Sequence, residues 1–334
     1  EKALTPLAVI RNFFDAFNRV DYSGLAACFA DELAAVHVDN EQLGQMINTA
    51  PIPGLAAAER NFGLAKTGRR YNVLRAYELP GQPGATAEGQ VFVEFQMVFK
   101  GVPSTAQVNI YTIKNSRIIA KCAYSLKPNH RAYLKVREAL KEWGQGLTPP
   151  TPVEGVTELD HTLEELQNLS EIKEVEGGLS PLHVMRNYFD AFNRMDRDGL
   201  IACFSDEPTG NGRMVAIHVD DESIGEEINR AEHSGLAAAE TNYQRCKDGR
   251  SKYNVVRCYD VGGGQVVTEF QMITDGKPVT SQVAIFTVKN SRIRQKILYI
   301  IKKSNHQIYN KPLPTFSLWG DIPAPAAAHS EPRK

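Results

Sequence analysis

The sequence predicts an α+β protein made of two cone-shaped domains, each with helices packed on a curved, mostly antiparallel sheet. Two observations carry that expectation. The chain repeats itself: LTPLAVIRNFFDAFNRVDYSGLAACF at 4–29 returns as LSPLHVMRNYFDAFNRMDRDGLIACF at 179–204. Within each copy, two or three segments of helical period precede a run of short segments that read as strands.

The repeat continues well past its opening. AVHVD at 35–39 meets AIHVD at 216–220, and GLAAAERNF at 54–62 meets GLAAAETNY at 235–243. YNVLRAY at 71–77 meets YNVVRCY at 253–259, VEFQM at 93–97 meets TEFQM at 268–272, and TIKNSRI at 112–118 meets TVKNSRI at 287–293. The chain is therefore one domain, duplicated.

Each copy opens on a helix. Pro6 and Pro181 suit a first turn, with Thr5 and Ser180 as caps. Val9, Ile10, Phe13, Phe14 and Phe17 then recur at helical spacing. Asp21 and Asp196 fall in a short turn before a second helix through Leu25–Phe29 and Leu200–Phe204. Short strands follow at 35–39 and 214–220, with a third helix near 54–66 and 235–247. In the first copy, strands near 71–78, 90–99 and 106–113 come next, and KNSRI turns into a last strand at 117–126.

These elements divide the chain into a first domain at 1–143, a connector at 144–178, a second domain at 179–311 and a Pro/Ala-rich tail at 312–334. The connector opens on a Gly/Pro break and turns acidic. Leu159, Leu163, Leu166, Leu169 and Ile172 predict an amphipathic helix over 157–172 whose apolar stripe packs on a domain or, in the alternative, docks on a partner. Phe316, Leu318 and Trp319 are candidate anchors for the tail.

Composition excludes more than it selects. A net charge of −1, with 42% hydrophobic and 23% charged residues, gives no field for nucleic acid or an anionic membrane. No apolar run is long enough to span a bilayer, so membrane insertion is not expected. No segment gives a cellular address; a soluble protein of a cell or organelle interior is the expectation. The five cysteines Cys28, Cys122, Cys203, Cys246 and Cys258 form no C-x-x-C pair, which argues against both a disulfide framework and a zinc site. There is no phosphate loop, Ser/His/Asp set or metal-spaced cluster, so neither cofactor nor metal is expected.

The phrases NFFDAFNRVDYSGLAACFADE and NYFDAFNRMDRDGLIACFSDE resemble the opening of the nuclear transport factor 2-like (NTF2-like) superfamily, in its SnoaL-like and ketosteroid isomerase-like branch. The H-V-D strand, the G-L-A-A helix and the closing strands keep that family's order. The resemblance implies an internal pocket in each domain and a dimer packed through curved sheets. A fused tandem then becomes an intramolecular pseudo-dimer with a near-isologous contact.

The same resemblance assigns columns for chemistry. Its general-base column holds His37 and His218, with Asp39 and Asp220 two residues on. Its oxyanion-donor column holds Phe13 in one copy and Tyr188 in the other, and its second acid column holds Asn109 and Ala284. Neither copy carries the full set. Phe13, His37, Asp39 and Asn109 are thus candidate ligand contacts, and Tyr188, His218 and Asp220 candidate catalytic residues. On the strand near 90–99 Glu94 and Gln96 alternate with Phe95 and Met97, as Glu269 and Gln271 do with Phe270 and Met272 in the other copy. The polar face is expected at the interface between the domains. The function that follows is a small apolar ligand-binding or protein-assembly module without catalysis. The alternative is a cofactor-independent lyase, isomerase or cyclase active mainly in the second domain.

Overall fold

The computed structural model describes residues 3–37, 52–80, 89–128, 133–137, 139–140, 177–204, 213–219, 233–301 and 311–317. The first half runs α1 (Pro6–Asn18), α2 (Tyr22–Cys28), β1 (Phe29–His37), β2 (Ile52–Pro53), α3 (Gly54–Lys66), β3 (Arg70–Leu79), β4 (Gly89–Phe99), β5 (Val102–Lys114) and β6 (Arg117–Leu126). The second repeats that order as α4 (Pro181–Asn193), α5 (Arg197–Phe204), β7 (Arg213–His218), β8 (His233–Ser234), α6 (Gly235–Cys246), β9 (Ser251–Gly262), β10 (Gln265–Thr274), β11 (Lys277–Lys289) and β12 (Arg292–Ile301). The protein is α+β, with two mixed sheets ordered β2-β1-β6-β5-β4-β3 and β8-β7-β12-β11-β10-β9. Only β1 with β6, and β7 with β12, pair in parallel among the described strands.

Local chemistry explains why the two halves fold alike. Thr5 and Ser180 accept from the amides of Ala8 and His183 at 3.2 and 3.3 Å and so cap α1 and α4. The turn aspartates do the same for the second helices, each accepting from a glycine amide at 2.9 Å (Asp21 from Gly24, Asp196 from Gly199). The KNSR turns put Asn115, Ser116, Asn290 and Ser291 in the left-handed region, as tight hairpins of this hand require. Ser116 and Ser291 then accept from the amides of Leu4 and Leu179 at 2.9 and 2.7 Å, tying the entry of each half to its last hairpin. The first strand of each half starts earlier than expected, and the two-residue strands β2 and β8 were not foreseen. Such short edge pieces carry no periodic signal.

Apolar residues gather in three clusters. One lies between α1–α3 and the inner face of the first sheet, around Phe13, Phe14, Phe17 and Phe95. A second lies in the same place in the other half, around Tyr188, Phe189, Phe192 and Phe270. The third draws on the outer faces of both sheets, with Phe92, Val108, Ile110 and Tyr124 against Val267, Ile285, Ile297 and Tyr299. Buried polar groups cross there in matched pairs. Tyr299 donates to Glu94 at 2.9 Å and Tyr124 to Glu269 at 2.7 Å. Tyr77 donates to Gln265, and Tyr259 to Gln90 at 3.4 Å.

Glu94 and Glu269 thus face the other sheet, while Gln96 and Gln271 do something else. Gln96 Nε2 donates to the carbonyl of Lys135 at 2.8 Å, and its Oε1 accepts from the Arg137 amide at 2.9 Å. Gln271 binds the carbonyl of Lys311 and the amide of Leu313 at 3.1 and 2.8 Å. Each glutamine holds the chain that follows its own sheet. Phe316 is buried at the end of the second such segment. The connector helix expected at 157–172, and Leu318 and Trp319, lie outside the described residues.

Candidate ligand cavity

A cavity of about 320 Å³ opens inside the first half, between α3 and the inner face of the sheet. Its apolar wall comes from Phe13 of α1, Phe29, Leu33 and Ala35 of β1, Ala56, Ala57 and Leu64 of α3, and Met97 of β4. The fold fixes these directions. Phe13 sits on the buried stripe of α1, its ring centroid 5.5 Å from that of Phe29 and 6.1 Å from that of Tyr111. Leu33 and Ala35 share one face of β1 because they are two apart in a strand.

The polar lining comes from Arg60 and Asn61 of α3, Thr105, Gln107 and Tyr111 of β5, and Lys121 and Ser125 of β6. Gln107 donates to Thr105 at 2.8 Å, and Asn61 back to the Ala57 carbonyl at 2.8 Å. Burial, with Arg60 adding to it, lowers Lys121 to about 8. Burial also raises Tyr111 well above the ordinary phenol value, with Tyr71 adding to it against the Asn109 hydrogen bond, so the hydroxyl stays protonated. No carboxylate of the described residues lines this space.

The expected site residues separate here. Phe13 lines the cavity. Asn109 does not: it is fully buried, and its amide donates to the Tyr111 hydroxyl at 2.8 Å, so it reaches the cavity only through that phenol. His37 and His218 end β1 and β7, in register with Ala123 and Leu298. Asp39 and Asp220 lie outside the described residues.

Tyr188 is fully buried in the core of the second half, and its hydroxyl donates to Asn242 Oδ1 at 2.9 Å. The two halves have exchanged phenols. The first carries Phe13 and Tyr111 where the second carries Tyr188 and Phe286. Ser125 and Lys121 are open to the cavity, while their counterparts Ile300 and Lys296 are only 6% and 5% exposed. The described cavity lies in the first half, the half that also holds the ligand-contact candidates Phe13, His37, Asp39 and Asn109.

Lys121 and Arg60 were missed by sequence reasoning, since a lysine in a strand ordinarily reads as solvent-facing. A signal was present: lysine stands in the same column of both copies, at Lys121 and Lys296, inside an otherwise apolar strand. Cys28 and Cys203, at the same place in the two copies, are both buried. Burial pushes Cys28 up to about 11 and Cys203 up to about 12, which leaves both protonated and inert at neutral pH. No described group of His, Cys, Asp and Glu side chains is arranged to hold a metal ion. No helix among the described residues is long and apolar enough to cross a membrane.

No family profile and no curated protein matches the sequence. Solved NTF2-like and ketosteroid isomerase-like structures do match parts of the chain. A Sinorhizobium meliloti protein solved as a candidate polyketide cyclase is 22% identical, covers 35% of this chain and 93% of its own, and has a TM-score of 0.24. A candidate ketosteroid isomerase from Kribbella flavida is 16% identical over 44% of this chain and 90% of its own, with a TM-score of 0.28. An NTF2-like protein of unknown function from Cytophaga hutchinsonii is 13% identical over 38% and 94%, with a TM-score of 0.26.

Proposed function

We propose that the chain is a tandem NTF2-like pseudo-dimer whose first domain holds a small ligand of largely apolar body, without catalysing its conversion. The observation that carries the reading is the cavity of about 320 Å³, walled by Phe13, Phe29 and Met97 and furnished with a few polar groups. The pseudo-dimer rests on reciprocity. Tyr299 to Glu94 and Tyr124 to Glu269 are one contact made twice, as an isologous interface requires. In that arrangement the domains at 1–143 and 179–311 brace one another, and the second acts as the scaffold of the first.

The catalytic reading asks Tyr188, His218 and Asp220 to act together on a substrate. It is disfavoured because the Tyr188 hydroxyl is already engaged by Asn242 in a closed aromatic core. The test is native mass spectrometry of the purified full chain beside Ala57→Leu, which fills the cavity from α3. Calorimetric titration with decan-1-ol accompanies it. A bound small molecule, or decanol binding, that the leucine abolishes is the expected result. Decanol binding equally well to both proteins places the ligand elsewhere and sinks the reading.

A further inference from the structure

Two cations reach the same largely apolar space from opposite sides, Arg60 from the helix wall and Lys121 from the sheet wall. We propose that this cavity takes an amphipathic monocarboxylate, its acid head set between Lys121 Nζ and the Arg60 guanidinium and its body against Phe13, Phe29 and Met97. The inference rests on the cavity being a ligand site, and adds the charge and class of the ligand.

The argument is electrostatic. Among the described residues neither Lys121 nor Arg60 has an ion-pair partner, and the two cations repel each other where water is scarce. Burial lowers both groups from their ordinary values, Lys121 to about 8. A single carboxylate between them neutralises the repulsion and supplies charge-assisted hydrogen bonds to both. The volume is at the small end of the ~300–1,000 Å³ range of ligand pockets, which suits a medium-length chain.

The second half repeats the pairing with a different arginine. Lys296 occupies the Lys121 column, while Thr241 replaces Arg60 and Arg245 replaces Leu64, one helical turn further along. Arg245 again acts on the buried lysine. A lysine opposed by an arginine thus recurs although the arginine has moved, which chance placement of surface cations does not explain.

The test is calorimetric titration of decanoate and decan-1-ol into the full chain, Lys121→Met, Arg60→Met and Lys121→Arg. Decanoate is expected to bind the unmodified protein ~10- to 100-fold more tightly than decanol, the scale of a charge-assisted contact. Each methionine variant should cut that preference by about tenfold or more, and Lys121→Arg should restore it. Raising the pH through about 8 should weaken decanoate binding to the unmodified chain but not to Lys121→Arg. Among the described residues, the other titratable groups at this cavity are Arg60 of α3, Tyr71 of β3 and Tyr111 of β5. Burial pushes both phenols upward and away from that range. If decanoate binds no better than decanol, or its preference ignores both methionine variants, the acid head is refuted while the cavity reading stands. If neither ligand binds, the cavity reading falls and takes this inference with it.

Discussion

The Tyr299 hydroxyl donates to Oε1 of Glu94 over 2.9 Å, joining residues 205 positions apart in the chain. The mirrored contact, Tyr124 to Glu269 at 2.7 Å, is chemically the same, but the arginines paired with the two carboxylates differ in their access to water. Glu94 also accepts from Tyr133, pairs with Arg75 and has Arg137 at 3.9 Å. Glu269 has Arg257 at 3.2 Å, and the Arg257 side chain is 28% exposed against 17% for Arg75.

Glu94→Gln is therefore expected to be the more damaging of the two equivalent substitutions. It leaves the less exposed of the two arginines, Arg75, without its counter-charge, a loss of about 3 kcal/mol. Glu269→Gln should cost ~1–3 kcal/mol, because Arg257 can be hydrated. Burial alone would raise the Glu94 carboxyl, but Arg75, Arg137 and two phenols outweigh it and hold it below the ordinary 4.5. A depressed acid stabilises the fold in full above its unfolded value, and that stability drains away as pH falls through the folded value. Urea unfolding across the acid range should show a steep limb that Glu94→Gln flattens. Equal losses at pH 7, or an unchanged acid limb, would contradict this account of the interface.

Lys296 should behave in the opposite sense. It is 5% exposed, with Nζ 5.6 Å from the Phe286 ring centroid, and burial followed by Arg245 lowers it from 10.5 to about 7. Between those values the unfolded chain holds a proton that the folded chain has released, so stability climbs with pH. Lys121 adds to the same trend. Lys296→Met should stabilise the protein by about 1–4 kcal/mol at neutral pH and remove part of the alkaline rise. Chemical denaturation at neutral and alkaline pH reads both effects; a destabilised methionine variant would mean the ammonium has a compensating partner.

The segments after each sheet give a third expectation. The Phe316 amide donates to the Val255 carbonyl at 2.7 Å, as the Leu140 amide does to Val73 at 2.8 Å, and Thr315 donates to Asn254 at 2.7 Å. Phe316→Ala should cost about 2–3 kcal/mol, less than the ~3–5 of a fully enclosed phenylalanine because an end segment can peel away. Limited proteolysis should then cut ahead of residue 316 at a higher rate. An unchanged cleavage pattern would show that the polar clasp of Gln271 and Asn254 holds the segment without the ring.

Much of this architecture was legible in the sequence because a duplication states each element twice. The α1 stripe, the Thr5 and Ser180 caps and the KNSR hairpins follow directly from residue chemistry. The alternation of Glu94 and Gln96 was read correctly as one polar face, but alternation says nothing about what covers a face. Glu94 meets the other sheet, whereas Gln96 meets its own chain about forty residues on, a contact no periodicity encodes. Which side chains are free to meet a ligand is hidden in the sequence for a similar reason. Tyr188 offered a hydroxyl in the right column, and only packing reveals that Asn242 takes it while Phe13, Ser125 and Lys121 leave room in the other half.

That exchange of phenols supplies the last prediction. Asn61 and Asn242 occupy the same place in α3 and α6, and each donates to a carbonyl one turn back at 2.8 Å. In the second half Tyr188 completes Asn242 by donating to Oδ1. In the first half Phe13 brings no hydroxyl, and Asn61 faces the cavity instead. Tyr188→Phe should thus leave a buried amide oxygen unpaired and cost about 1–3 kcal/mol of stability. Its effect on ligand binding should be small, since it lies in the other core. Phe13→Tyr should do the reverse, fitting a hydroxyl against Asn61 with little loss of stability while narrowing the cavity and weakening decanol. Thermal unfolding and calorimetry on both variants separate the outcomes. If Tyr188→Phe abolishes ligand binding and Phe13→Tyr leaves it intact, the second half is the working one and the ligand site assigned to the first is wrong.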